Sequence, residues 1–155
     1  ILNHQVELLE KPKNNSWWYN VFYLHRYIQK VVIQIDEKKF SLLNLHLEAF
    51  SKAEREEQIQ LLTRKVAAEK VDFVAGDFNM LPTSAVKRSK FADSSDDYEN
   101  DESYELMRKS GMLESIPEEI YSKDESRYFT FPAWKPDRRL DYIFYQPHHK
   151  MMRAE

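Results

Sequence analysis

The sequence predicts an α/β fold built around a mixed sheet, and three observations carry that prediction. A β-branched-rich run, 27–35, and a nearly all-apolar run, 40–47, flank the short charged turn Asp36-Glu37-Lys38-Lys39, the pattern of a β-hairpin. An amphipathic segment with a capping signal fills 51–70. A third apolar run, Val71-Asp72-Phe73-Val74-Ala75, follows directly and stops at Gly76. Strand, helix, strand in succession implies a crossover beside a parallel or mixed sheet.

Each element has its own signal. Gln5 to Glu10 reads as an opening strand, and Pro12 to Ser16 as a turn cluster. The run Phe40 to Leu47 is almost entirely apolar, which suits a central strand covered on both faces. Ser51-Lys52-Ala53-Glu54 is a capping box, and Ile59, Leu62 and Val66 fall on one helical stripe. Beyond Pro82 the order weakens. The stretch Asp93 to Glu102 carries six acidic residues and reads as a solvated loop, since its spacing matches no EF-hand. A short helix is expected from Ser103 to Ser110, ending at Gly111. Phe129-Thr130-Phe131 reads as a short strand, and Asp141 to Tyr145 as the last one.

Composition bounds the function. The 155 residues fit one domain, and 42% apolar residues suffice for a core. A net charge of −3 and pI of about 6.0 argue against a surface that binds nucleic acid everywhere, but leave room for a local basic groove. With no cysteine, disulfides, thiolate metal sites and cysteine nucleophiles are impossible, so any metal is held by oxygen or imidazole. No apolar run approaches the roughly 18 residues of a membrane span.

Three short motifs carry chemistry. Gly76-Asp77-Phe78-Asn79 sits at the end of a strand, where α/β sheets bind ligands. Asp77 and Asn79 alternate with Phe78, so both polar side chains can share a face. A carboxylate there can take a proton from water or bind a metal, and an amide can hold a phosphate oxygen. A simple strand-end turn would use the same residues. Asn44-Leu45-His46-Leu47 places an imidazole on an apolar strand, as a packed residue or as a donor to a phosphoryl oxygen. Asp141 opens an apolar strand, where a buried carboxylate needs a partner: a loop amide, or a histidine that it orients. Arg138 and Arg139 precede it, as surface charges or as guanidinium groups for phosphate.

Taken in order, these motifs resemble the endonuclease/exonuclease/phosphatase superfamily, bacterial members above all. The likeness spans roughly Ile1 to Tyr145 and rests on Leu45-His46-Leu47-Glu48-Ala49-Phe50, Gly76-Asp77-Phe78-Asn79-Met80-Leu81-Pro82 and Thr130 to Asp141. The resemblance implies a four-layer α/β sandwich, two mixed sheets face to face with helices outside. It implies that Asp77 activates or orients water near a metal, that Asn79 holds the phosphoryl group, and that His46 contacts a phosphate oxygen. Asp141 would pair with a histidine near the family's C-terminus. The implied cofactor is Mg²⁺, with Mn²⁺ as a substitute, and Asp77 is the metal-side residue within this chain.

Both ends depart from the family. Its N-terminal Asn motif and metal-binding Glu would precede Ile1, and its closing Ser-Asp-His would follow Glu155. His148 and His149 do not match that closing motif and read as surface imidazoles. The expectation is therefore a single partial domain over 1–155, a fragment of a longer enzyme. Its reaction would be metal-dependent hydrolysis of a phosphate ester by in-line attack of water. Nucleic acid is the first substrate class, with Lys87, Arg88 and Lys90 tracking the backbone and Trp134 stacking on a base. The alternatives are a phospholipid or small phosphorylated metabolite, with Trp17-Trp18-Tyr19 at a lipid interface, or a non-catalytic binding module.

Overall fold

The computed structural model describes residues 1–9, 25–92 and 98–152. The turn cluster 12–16, the aromatic cluster 17–19 and the acidic residues 93–97 lie outside them. Among the described residues the strands form one six-stranded mixed sheet. In chain order the elements are β1 (Asn3–Leu8), β2 (Tyr27–Ile35), β3 (Lys38–His46), helix α1 (Lys52–Glu69), β4 (Phe73–Asp77), α2 (Ser103–Arg108), β5 (Leu113–Glu114), α3 (Glu118–Tyr121), a 3₁₀ turn (Glu125–Tyr128) and β6 (Asp141–Tyr145). The spatial order is β1-β2-β3-β4-β6-β5.

β2 and β3 form the expected hairpin, closed by Asp36 at a φ of 54°. α1 carries the chain over to β4, which pairs with β3 in parallel, so the crossover read from the sequence is present. β6 then returns antiparallel to β4. The Ser51 hydroxyl caps α1 by accepting from the Glu54 amide, and Lys70 ends it in the left-handed region at a φ of 50°. Ile59, Leu62 and Val66 of α1 pack onto Leu43, Leu45, Val74 and Phe144. Truncating any one of these to alanine would cost about 2–5 kcal/mol. The opposite face is open among the described residues, with Tyr27 and Ile143 about half exposed.

A second apolar cluster joins Leu81, Ala85, Phe91, Tyr98 and Leu140 from loops with Tyr121 from the end of α3. These residues have no helical or strand period, so the sequence does not announce them. Two expectations change here. Phe129 to Phe131 forms no strand; Phe131 makes an isolated bridge to Arg138 before a cis peptide to Pro132. Nor is the acidic stretch wholly solvated. Asp101 is 3% exposed and accepts from Arg55 Nε and Nη2 at 3.0 and 2.7 Å. That guanidinium also donates to the carbonyls of Glu48 and Ala49, fastening the loop after β3 to α1.

Gly76 is the tightest point of the sheet. Its φ is 140°, and a Cβ there would sit 2.0 Å from the Leu45 carbonyl oxygen. Backbone cannot yield to that contact as a side-chain tip can. Gly76→Ala is expected to lose about 3 kcal/mol or more, read as a fall in the urea midpoint. Asp101→Ala, which strands a buried guanidinium, is expected to lose about 3–5 kcal/mol in the same assay. A loss below about 1 kcal/mol in either would contradict the packing described.

Candidate active site

Strand register assembles the site. His46 ends β3 and pairs with Asp77 at the end of β4, and Asp77 pairs with Asp141 at the start of β6. Directly paired residues project from the same face, so three residues far apart in sequence form one row across the sheet's end. His46 Nε2 lies 3.6 Å from Asp77 Oδ2. Asp141 is exposed, and its amide and that of Leu140 both donate to the Thr130 hydroxyl. The carboxylate expected to be buried at a strand start is thus open at the rim, and no histidine partners it among the described residues.

The turn after β4 holds Asp77 firmly. The Asn79 amide donates to Asp77 Oδ1 at 2.9 Å, and Asn79 Nδ2 donates to the Leu47 carbonyl at 3.0 Å. Asn79 adopts a φ of 48°, a left-handed conformation that Asn tolerates better than most residues. The Leu47 amide donates to the Asp77 carbonyl and the Phe78 amide to that of Leu140, so both neighbouring strands clamp the turn. Tyr142 adds a third clamp, its hydroxyl donating to the Met80 carbonyl at 2.9 Å. Phe78 points inward against Tyr142 and Phe144.

A cleft of about 340 Å³ opens beside His46 and Asp77 of this row. Arg26, His46, Asp77, Asn79, Arg138 and Phe131 are among its lining residues. Arg26 is the residue that sequence reasoning missed. It stands just ahead of β2, and its Nη1 lies 3.0 Å from His46 Nε2. Its Nε–H is buried and has no acceptor among the described residues. The only signal in the sequence is a cation directly before a strand, which is meaningless until the β2–β3 register is known.

Electrostatics follow from this geometry. Burial pushes the Asp77 carboxyl up from 3.8 to about 6, and the nearby Asp141 charge adds to the rise. The Asn79 amide and the Arg26 and Arg55 charges oppose it. His46 is held below its ordinary value by partial burial and by Arg26. A guanidinium can only donate, so Nε2 accepts and the imidazole is neutral with its proton on Nδ1. The result is a carboxyl poised near neutrality beside a cation and a neutral imidazole, suited to accepting a proton and holding an anion.

The remaining expected residues separate. Arg138 lines the cleft, its guanidinium between the Phe91 and Phe131 rings at 4.3 and 4.7 Å and donating to Asp137. Arg139 does not reach the cleft. It is 2% exposed, pairs with Glu114 at 2.5 Å and lies over the Tyr142 ring, so it braces β5 against β6. Trp134 is 80% exposed and outside the cleft lining. Arg88 donates to the carbonyls of Pro82, Tyr98 and Asp101, a loop brace instead of a phosphate contact. Lys87 lies over the Phe91 ring, 4.5 Å from its centroid. Among the described residues, Asp72 with His148 and His149 form a group of three side chains close enough to hold a metal, and it lies at the other end of β4.

A sequence model described as the Endonuclease/Exonuclease/phosphatase family matches residues 8–151. Among solved structures, the chain is similar to an endonuclease/exonuclease/phosphatase family protein of Bacteroides thetaiotaomicron, with a TM-score of 0.56 and 19% identity over 95% of this chain and 51% of that one. It is similar to a mannosyl-6-phosphatase of the same species, at 0.57 and 19% over 95% and 52%. It is also similar to truncated TDP2 of Caenorhabditis elegans, at 0.53 and 22% over 94% and 52%. At these identities the likeness shows the fold alone, and the chain spans about half the length of these structures. No curated protein matches it by sequence.

The raised carboxyl has a consequence for stability. Between pH 3.8 and about 6 the folded chain holds a proton on Asp77 that the unfolded chain has released. Stability therefore falls as pH rises through that window, and the cost is complete above it. Asn keeps the acceptor for the Asn79 amide but carries no charge. With divalent ions chelated, Asp77→Asn is expected to stabilise the protein by about 1–3 kcal/mol near neutrality. The gain should shrink towards zero as the pH approaches 3.8 in urea titrations. A pH-independent difference would refute the assignment.

Proposed function

Because the chain belongs to the endonuclease/exonuclease/phosphatase family, whose members are hydrolases acting on phosphate esters, we propose that it contributes the catalytic face of a divalent-metal-dependent phosphoesterase. The observation that carries the reading is the row His46–Asp77–Asp141, of which His46 and Asp77 line a cleft together with Arg26, whose buried Nε–H has no acceptor among the described residues. A cationic donor beside a carboxyl of raised pKa suits a phosphate ester and the water that attacks it.

Each residue has a role in that reading. Asp77 orients the water and accepts its proton. Asn79 keeps Asp77 in place, and its second amide hydrogen serves a phosphoryl oxygen. Arg26 binds a phosphate oxygen; once the ester draws Arg26 off Nε2, the neutral His46 shifts its proton from Nδ1 to Nε2 and donates to another. Arg138, at the cleft wall, adds positive charge. Asp77 and Asp141 are oxygen donors whose mutual repulsion a hard cation relieves, so the residues present fit Mg²⁺ or Mn²⁺. A bound cation supplies charge neutralisation on the phosphoryl oxygens and the leaving group.

Nucleic acid remains the first substrate class, supported by the exposed ring of Trp134, which is available to stack on a base. A small phosphorylated metabolite is the second. It is supported by the bracing role of Arg88, which removes part of the expected backbone track, and by a neighbour of this fold named as a mannosyl-6-phosphatase. In the complete protein, Asp77→Ala is expected to lower turnover of a chromogenic phosphodiester about 10²–10⁴-fold without unfolding. Near-normal turnover in that variant would sink the proposal. Arg26→Ala should raise KM more than it lowers kcat. A steep fall of activity with added salt would favour nucleic acid, and salt-insensitive turnover of a sugar phosphate the second class.

A further inference from the structure

At the far end of β4 from the cleft, two neighbouring imidazoles converge on one carboxylate oxygen. His149 Nε2 lies 2.9 Å and His148 Nε2 3.4 Å from Asp72 Oδ1. Potential ligand atoms of all three residues lie within 4.8 Å of one another. Adjacent residues in extended chain point to opposite sides, so this convergence needs a turn. The turn is built: the Gln146 amide donates to the Asp72 carbonyl, Gln146 Nε2 to the Val71 carbonyl, and the His149 amide to the Gln146 carbonyl.

The surroundings hold these side chains in place. The other Asp72 oxygen accepts from the Ser41 amide at 2.8 Å and from its hydroxyl at 3.1 Å. The His149 ring stacks on Phe73 with centroids 4.7 Å apart and lies 5.8 Å from Phe40. Ser41 thus orients the carboxylate from behind, and two rings fix one imidazole, as outer-shell groups do around metal ligands. His148 is largely exposed, which leaves a route to solvent.

We propose that Asp72, His148 and His149 form a binding site for a borderline transition-metal dication of the Zn²⁺ class, separate from the catalytic cleft. Two imidazoles and one carboxylate match Zn²⁺ and its neighbours; Mg²⁺ prefers oxygen alone. Three protein ligands leave a fourth position for water. The ion joins the chain after β6 to the start of β4 and Ser41 of β3. Five residues of extended chain, roughly 16 Å, separate Asp72 from Asp77, so this site and the cleft do not share an ion.

The test is metal binding by the complete protein, read by calorimetry with Zn²⁺ and by the visible bands of Co²⁺, with Mg²⁺ in excess throughout. The expected result is one Zn²⁺ equivalent that survives Asp77→Asn, falls at least about tenfold in affinity in His148→Ala, and is lost in the double variant His148→Ala/His149→Ala. Zn²⁺ should also raise the melting temperature of wild type and not of the double variant. Since His148 is exposed, its substitution leaves the fold intact. Zn²⁺ binding unchanged in His148→Ala, or no Zn²⁺ equivalent in wild type, overturns the proposal. Binding lost in Asp77→Asn but kept in the double variant overturns it too, by placing the ion in the cleft.

Discussion

The Leu45 carbonyl of β3 occupies the space that a side chain at position 76 would need, and the site depends on that close approach. Because Gly76 has no Cβ, β4 can lie against β3 in a backbone conformation closed to other residues. The register that results sets His46 beside Asp77, and β6 brings Asp141 to the other side of Asp77. Backbone bonds to Leu47 and Leu140 seat the turn after β4, and Tyr142 braces it from the core.

The alignment carries an electrostatic cost that the chain does not relieve locally. Two carboxylates occupy neighbouring strands, and one is mostly buried. Arg26 and the Asn79 amide offset part of the repulsion but leave Asp77 with a raised pKa. A fold selected only for stability would place a neutral residue there. A carboxyl of raised pKa in a cleft, next to a donor with no acceptor among the described residues, is the pattern of a site built to receive something.

Arginine does unlike work in different parts of this molecule. Arg55 anchors the loop after β3 to the segment before α2, Arg88 braces the loop after β4, and Arg139 ties β5 to β6. All three satisfy backbone carbonyls or carboxylates inside the structure, where a fork of five donors is more useful than a lysine's point charge. Arg26 and Arg138 instead line the cleft. Composition cannot distinguish these uses, because a guanidinium is the same group in both. The neighbours that assign its role arrive from distant parts of the chain.

The sequence by itself determined the local elements and the chemical identity of the motifs. Hairpin, capped helix and following strand were legible because apolar period, capping residues and turn chemistry act over a few neighbouring residues. Asp77, Asn79, His46 and Asp141 could be named because each interrupts or ends an apolar run. Only the tertiary structure decided which of them meet. It placed Arg26 against His46, withdrew Arg139 into an ion pair, buried Asp101 and brought Asp72 to the two histidines after β6. Those outcomes depend on strand register and on loops that pack without period. Both are set by long-range contacts, which leave no regular mark on the residues that make them.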